Sequence, residues 1–252
     1  MIFHVGLAFL LDDNCASPPQ FEDRIINGNV AKPNTTPWMA ALHDYTGFVC
    51  GGTLITERNV LTAKHCIEKR NITTVLLGVY DRRCPFWIFS GVELYRPFKF
   101  VPFSGDIALI KLDRKVVYNA QIRPICIIIE QEPITWLPTQ RFEAYGWGRT
   151  ETGLTSQVLK TVSLNRVQCP AGQDPNGLIC AWSWNGDTCN GDSGGPLAAK
   201  IIYKGKSIYA QFGIVSSGSP NCDNIGIYTD IMSYNSLLFI HHALDIILLH
   251  EK

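Results

Sequence analysis

A chain of 252 residues, 46% hydrophobic and 17% charged, has the material for a substantial core, which excludes a disordered chain. Its 22 Lys and Arg balance 22 Asp and Glu with no polybasic run, so neither nucleic acid nor an anionic membrane is indicated as a partner. Nine cysteines are spread along the chain with no C-x-x-C pair and no zinc-like Cys/His spacing. That usage predicts disulfides and an oxidising compartment, with one cysteine left over.

In chain order, the start MIFHVGLAFLL carries a short apolar run, Val5 to Leu11, followed by Asp12 and Asp13. It reads as an atypical leader, without a basic first region or an A-x-A cleavage site. Residues 25–232 then read as β. Short apolar runs such as Thr53-Leu54-Ile55, Thr74-Val75-Leu76-Leu77 and Ser207-Ile208-Tyr209-Ala210 alternate with Gly, Pro, Asn and Asp. No long helical period separates them, which predicts antiparallel sandwiches or barrels. Asn34-Thr35-Thr36 and Asn71-Ile72-Thr73 are glycosylation acceptor triplets, compatible with secretion. Only the tail is helical in pattern, through Leu237, Leu238, Ile240, Leu244, Ile247 and Leu248. His241, His242 and Asp245 make it too polar and too short for a membrane span, so it is expected to dock on the domain.

Chemistry concentrates in DTCNGDSGGP, Asp187 to Pro196. Taken alone, Ser193 there fits either a surface turn or the G-x-S-x-G elbow of an α/β-hydrolase. A serine hydroxyl becomes a useful nucleophile only when a base takes its proton and a carboxylate orients that base. Of six histidines, His65 stands out, because NVLTAKHC places it directly after an apolar strand and beside Cys66. Asp106, in GDIALIKL, enters an apolar strand where its carboxylate can be buried. Singly, His65 reads more readily as a packed structural histidine and Asp106 as a turn cap.

Together LTAKHC, DIALIKL and GDSGGP give the order His, Asp, Ser, and the chain resembles the chymotrypsin/trypsin family of serine proteases. RIING at 24–28, PWMAAL at 37–42, CGGTLI at 50–55, RPIC at 123–126, GWG at 146–148 and GIYTDI at 226–231 support the resemblance in the same order. An α/β-hydrolase would run Ser, Asp, His and would alternate strands with helices. The resemblance implies an all-β fold of two packed six-stranded antiparallel Greek-key barrels with a C-terminal helix. The expected bounds are a leader and short pro-segment over 1–24 and a protease domain over 25–252. Within the latter, the barrels fall at about 25–130 and 131–232 and the helix at about 233–250.

By the same resemblance Ser193 is the nucleophile, His65 the general base and then acid, and Asp106 the group that orients His65. The N–H groups of Gly191 and Ser193 form the oxyanion hole. Asp187 lies at the bottom of the primary pocket and selects Arg or Lys, with Ser216, Gly218 and Gly226 as its substrate-binding surroundings. Arg24-Ile25 is the zymogen cleavage site, whose freed Ile25 ammonium pairs with Asp192 and orders the pocket. The implied disulfides are Cys50–Cys66, Cys169–Cys180, Cys189–Cys222 and Cys15–Cys126, the last tethering the pro-segment. Cys84 is then a free thiol, a link to another chain, or a cysteine whose partner lies outside this sequence.

Three departures from the family pattern stand out. Lys64 replaces alanine before His65, Ser217 replaces tryptophan so that the groove is expected to be more open, and Val79 replaces a calcium-ligand glutamate. No cofactor and no metal are implied. The expected partners are proteins or peptides with Arg or Lys before the scissile bond, an upstream activating protease, and protein inhibitors such as serpins. The expected function is a secreted trypsin-like serine endopeptidase; its short tethered segment resembles arthropod haemolymph proteases. The alternative is a non-catalytic homologue acting as a cofactor or binding module in a proteolytic cascade. Replaced triad residues usually mark that alternative, and all three are present here.

Overall fold

Strands form where β-branched and aromatic residues occur in short runs bounded by Gly, Asn, Asp and Pro. The computed structural model describes residues 9–15, 30–31, 33–68, 70–84, 87–90, 93–95, 105–129, 140–150, 153–173, 176–184, 188–189, 191–218 and 225–249. The first part holds strands β1 (Phe9–Leu10), β2 (Met39–Asp44), β3 (Gly47–Leu54) and β4 (Asn59–Thr62) and the one-turn helix α1 (Lys64–Glu68). It continues through β5 (Thr74–Leu77), β6 (Trp87–Ser90), β7 (Glu93–Tyr95), β8 (Ala108–Lys111) and β9 (Ile128–Ile129). The second part holds β10 (Arg141–Gly146), β11 (Lys160–Val167), β12 (Leu178–Trp182), β13 (Pro196–Tyr203), β14 (Lys206–Ser217), β15 (Gly226–Asp230) and helix α2 (Tyr234–Leu249).

The second part is a closed six-stranded antiparallel barrel in the order β10-β11-β12-β15-β14-β13, as expected. The first part is a seven-stranded sheet, β6-β5-β2-β3-β4-β8-β7, where a closed six-stranded barrel was expected. The difference lies in one strand. The sheet's two edges, β6 and β7, are consecutive in the chain: Ser90 pairs with Thr74 on β5, and Glu93 pairs with Lys111 on β8. Three residue steps span at most about 11 Å, so the sheet must curl until its edges nearly meet. Counted as one bent strand, β6 and β7 restore six strands around the curl.

Two apolar clusters hold these units. One fills the barrel with Phe142, Leu164, Leu197, Phe212 and Tyr228. The other fills the curled sheet with Leu42, Leu54, Leu61, Val75 and Leu109, and reaches into the seam through Trp38, Tyr145 and Trp147. The Trp38 ring lies 6.1 Å from that of Tyr145 and 5.3 Å from that of Tyr209, so one indole from the first part anchors on the second. Each fully buried large side chain of this kind contributes about 1.5–3 kcal/mol. Helix α2 follows the barrel in sequence yet buries Ile240 and Ala243 in the sheet's cluster, clamping the two parts.

Residues 9–15 belong to this body. Phe9 and Leu10 pair with Ile129 and Ile128, the Leu11 N–H donates to Ile127 O at 2.9 Å, and Cys15 is bonded to Cys126. The end of the apolar run read from the sequence as leader is thus part of the segment tethered through Cys15. Cys50–Cys66 and Cys169–Cys180 are also formed, and Cys84 is free and exposed. Cys189 is disulfide-bonded, and its expected partner Cys222 lies outside the described residues. Asn34 and Asn71 are both exposed. No helix among the described residues is long and apolar enough to cross a membrane.

Candidate active site

Antiparallel pairing of β4 with β8 aligns Thr62 with Ala108, so the end of one strand lies beside the start of the other. His65, three residues past Thr62, and Asp106, two before Ala108, therefore emerge at the same end of the sheet. The α1 turn that carries His65 is held by Cys66, buried and bonded to Cys50 on β3. Asp106 Oδ1 accepts the His65 backbone N–H at 2.9 Å, and Oδ2 accepts His65 Nδ1 at 2.6 Å. With a carboxylate as acceptor, Nδ1 carries the ring proton, and Nε2 is left as the basic nitrogen.

The barrel supplies two further donors to this aspartate. Thr229 Oγ1 donates to Asp106 O at 3.1 Å, and Ser216 Oγ donates to Asp106 Oδ2 at 2.6 Å. The β14–β15 register slips between Val215 and Ser217, which makes Ser216 the extra residue of a β-bulge. Bulges re-aim side chains, and this one turns the Ser216 hydroxyl toward Asp106. Sequence reasoning had placed Ser216 with the substrate only. Burial pushes the Asp106 carboxyl up, but the hydrogen bonds from His65 and Ser216 and the His65 charge outweigh it. The carboxyl sits below its ordinary value.

Ser193 lies on a loop driven into the seam between the two parts. Ser193 O accepts the Gly51 N–H at 2.8 Å from β3, while Gly194 N–H donates to Val215 O and Gly195 N–H to Asp192 O, each at 2.9 Å. Gly194 has φ +80°, and a Cβ there would collide with Thr62 Oγ1 and Gly51 O, so the first part allows only glycine. On the other side a Cβ at 195 would stand 2.6 Å from Tyr145 O. The sequence GDSGGP is thereby wedged at a fixed depth. Gly191 has φ +101°. Among the described residues neither the Gly191 nor the Ser193 N–H has an acceptor, so two backbone donors are left open beside the Ser193 side chain.

Asp192, next to Ser193, turns inward. Its Oδ1 accepts the Gly148 N–H at 2.7 Å and its Oδ2 the Cys189 N–H at 2.8 Å. A Cβ at Gly146 or Gly148 would collide with that carboxylate, which explains both glycines of GWG. Their role was invisible in sequence, because Gly148 and Asp192 are far apart along the chain.

These features, together with a match to the trypsin family over residues 25–238, decide the relationship. The chain is a member of the trypsin family of serine proteases. It is 31% identical over 268 residues to Serine protease grass of Drosophila melanogaster, covering 90% of this chain and 70% of that protein. It is 32% identical to Melanization protease 1 of the same fly, covering 88% of this chain and 66% of that protein. It is 30% identical to Phenoloxidase-activating factor 1 of Holotrichia diomphalia, covering 89% and 71%.

Other expected residues of this trypsin-family chain divide between visible and not. Gly218 and Gly226 face each other, with a Cβ on Gly218 reaching within 3.9 Å of Gly226 Cα. Beneath them Thr188 Oγ1 and Tyr228 Oη lie 3.0 Å apart. Asp187, Arg24 and Ile25 lie outside the described residues. Lys64 is engaged by Glu68 at 3.2 Å, one turn along α1, and Val79 is buried. Cys50, His65 and Cys66 cluster closely, but the two sulfurs are spent on their mutual disulfide and offer no thiolate to a metal. Beside Asp106 a cavity of about 520 Å³ is lined by Ser216, Ser217, Gln173, Asn176, Ile227 and Tyr234 among others. Ser217, which stands where the family commonly has tryptophan, is one of its walls.

Proposed function

We propose that this chain is a secreted serine endopeptidase that cleaves after Arg or Lys through an acyl-enzyme, and that it is made as a zymogen opened at Arg24-Ile25. The observation that carries the reading is the fixed His65 ring. Asp106 holds Nδ1 at 2.6 Å while itself taking Ser216 Oγ at 2.6 Å. Ser193, on the loop wedged against Gly51 and Thr62, is flanked by two open N–H donors, although no hydrogen bond joins its hydroxyl to His65 among the described residues. In this reading His65 Nε2 removes the Ser193 hydroxyl proton as Oγ attacks the scissile carbonyl. The carbonyl oxygen gains negative charge and takes the Gly191 and Ser193 N–H groups, a donor pair of which each member is worth about 2.7–4 kcal/mol in the transition state. His65 then returns the proton to the departing amine, and water repeats the sequence on the ester.

Asp187 is the reading's source of specificity, since a carboxylate at the base of a closed pocket favours a cation that pairs with it. Freed by cleavage, the Ile25 ammonium would reach Asp192, whose carboxylate already bonds the two loops that frame the open N–H groups. The relatives' names, a melanization protease and a phenoloxidase-activating factor, support a place in a proteolytic cascade with a protein substrate and an activating protease. Extracellular location fits the three disulfides with both cysteines described. Protein inhibitors such as serpins would compete for the same groove.

The test is to cleave the purified chain after Arg24 and compare coumarin amides of Arg, Lys, Phe and Ala, with fluorophosphonate labelling of Ser193. Turnover restricted to Arg and Lys is expected, with labelling lost in Ser193→Ala. Failure to label or turn over any substrate, with a verified Ile25 amino terminus, rejects the catalytic reading in favour of a binding module. Preference for Phe rejects the role of Asp187.

A further inference from the structure

Beside Gly191 the candidate site is bordered by an aromatic ring that carries a stacked arginine. A Cβ on Gly191 would lie 3.6 Å from Phe48 Cε1 and 3.5 Å from Thr155 Cγ2, so both residues border the loop that carries the open N–H groups. The Arg82 guanidinium stacks over the Phe48 ring at 4.2 Å from its centroid. Its Nε and Nη2 donate to Ser156 O at 3.1 and 2.7 Å, and Nη2 reaches Thr155 Oγ1 at 3.3 Å. Nη1 has no acceptor among the described residues. Stacking and chelation therefore fix the plane of this cation and leave one edge open.

Arg149 joins it from a neighbouring strand. Arg149 and Thr155 form an antiparallel bridge, and residues facing each other in such a bridge project from the same face. The Arg149 side chain thus leaves on the face where Thr155 meets Arg82. Among the described residues, Asp81 pairs with Arg83 at 2.5 Å and Asp44 with Arg70 at 3.1 Å. Neither Arg82 nor Arg149 has an ion pair among the described residues.

The direction of the substrate follows from the chemistry. In the protease reading the acyl portion lays its Arg or Lys side chain along the wall that Gly218 and Gly226 form side by side. The leaving amine departs past His65 Nε2, which faces Cys66 Sγ at 3.8 Å, and so past the Cys50–Cys66 bridge toward Phe48. An extended peptide advances about 3.4 Å per residue, so two or three residues beyond the cut carry it past Gly191 to the Phe48 ring and the Arg82 guanidinium stacked on it.

We propose that Arg82 and Arg149 form a subsite for an acidic side chain, Asp or Glu, two or three residues beyond the scissile bond. This selects a substrate class within the protease reading, on which it rests. A carboxylate there meets an oriented guanidinium edge and a second cation, the arrangement that makes charge-assisted hydrogen bonds strong and specific. A lysine at the same place meets two like charges.

The test uses the full chain cleaved after Arg24 and quenched fluorescent peptides that share one sequence through Arg and the next residue. The second and third residues after the cut are Glu, Ala or Lys. In parallel, the same peptides are titrated by anisotropy against Ser193→Ala, which reads binding without chemistry. Expected is a ranking of Glu over Ala over Lys in both kcat/KM and affinity, with Glu and Lys differing by about tenfold at low salt and less at high salt. Arg149→Glu, an exposed substitution, should collapse or reverse the Glu/Lys ratio, and Arg82→Gln should reduce it. Equal rates and affinities for Glu, Ala and Lys peptides overturn the subsite. A Glu preference in binding without turnover of any peptide or of an arginine coumarin amide retains the subsite and rejects the catalytic reading instead.

Discussion

Ser216 Oγ and His65 Nδ1 converge on a single oxygen, Asp106 Oδ2, each at 2.6 Å. That oxygen is therefore held by one donor from each half of the fold, and the ring it orients is fixed against both. Ser216→Ala removes the barrel's donor while leaving His65 in place. It should lower kcat on an arginine coumarin amide by about tenfold with little change in KM, the scale of one hydrogen bond to a charged group. Asp106→Asn reverses the ring tautomer and should lower kcat by about 10⁴-fold. An unchanged kcat for Asp106→Asn would remove Asp106 from the proposed triad.

The same carboxyl sets a dependence on acid. Burial raises it, but the bonds from His65 and Ser216 and the His65 charge bring it below its ordinary value. A carboxyl that is more acidic folded than unfolded stabilises fully above the unfolded pKa of about 3.9 and loses that contribution as pH falls through the lower folded value. Thermal unfolding from pH 6 to pH 2 should show this loss at the acid end. The decline should be shallower in Asp106→Asn, and identical acid limbs would refute it.

Asp192 and Gly148 fit closely, through a 2.7 Å hydrogen bond with no room for a methyl group on the glycine. Gly148→Ala must displace either the carboxylate or the strand end that bears Trp147, which is fully buried. Overpacking of this kind costs about 1–3 kcal/mol. Fluorophosphonate labelling of Ser193 should slow by at least tenfold, because the displaced Asp192 carries the adjoining Gly191 and Ser193 N–H groups with it.

In the proposed reading, the cavity of about 520 Å³ beside Asp106, walled by Ser217, receives the part of the substrate before the cut. Ser217→Trp should fill part of it and present an apolar wall. Peptides with Leu or Val two to four residues before the cut should then gain about fivefold in kcat/KM over those with Ser or Gly, as burial of a partial side chain provides. No shift in that preference would show that position 217 does not border the bound peptide.

Cys15–Cys126 ties residues 9–15 to the body, reinforced by the β1–β9 pairing. After cleavage at Arg24, non-reducing electrophoresis should show a single species and reduction should release the light fragment. With Cys15→Ser the fragment should separate without reductant, since the two-residue strand pair alone is marginal in water.

Much of the site was legible because it rests on local residue chemistry. LTAKHC, DIALIKL and GDSGGP each carry one reacting group in a short stretch whose neighbours are themselves constrained. Cys66 is bonded, Ala108 is paired, and Gly194 is trapped between Thr62 and Gly51. The runs at 74–77 and 207–210 became β5 and part of β14 because their side chains suit a half-buried pleat. The count of strands was less legible. Whether Trp87–Ser90 and Glu93–Tyr95 act as one strand or two depends on how the sheet curls, which no local pattern records.

By itself the sequence determined the chemistry available: a histidine, an aspartate and a serine in a recognisable order, and cysteines that suit an oxidising compartment. Tertiary structure alone decided which groups meet. The bulge at Ser216 points its hydroxyl at Asp106, and the seam brings Gly148 onto Asp192. The bridge of Arg149 with Thr155 brings a second arginine to the face where Thr155 meets Arg82, beside Gly191. The physical reason is range. Propensity and motif act over a few neighbouring residues, whereas these contacts join segments tens of residues apart and exist only once two packed cores have fixed the strands that carry them.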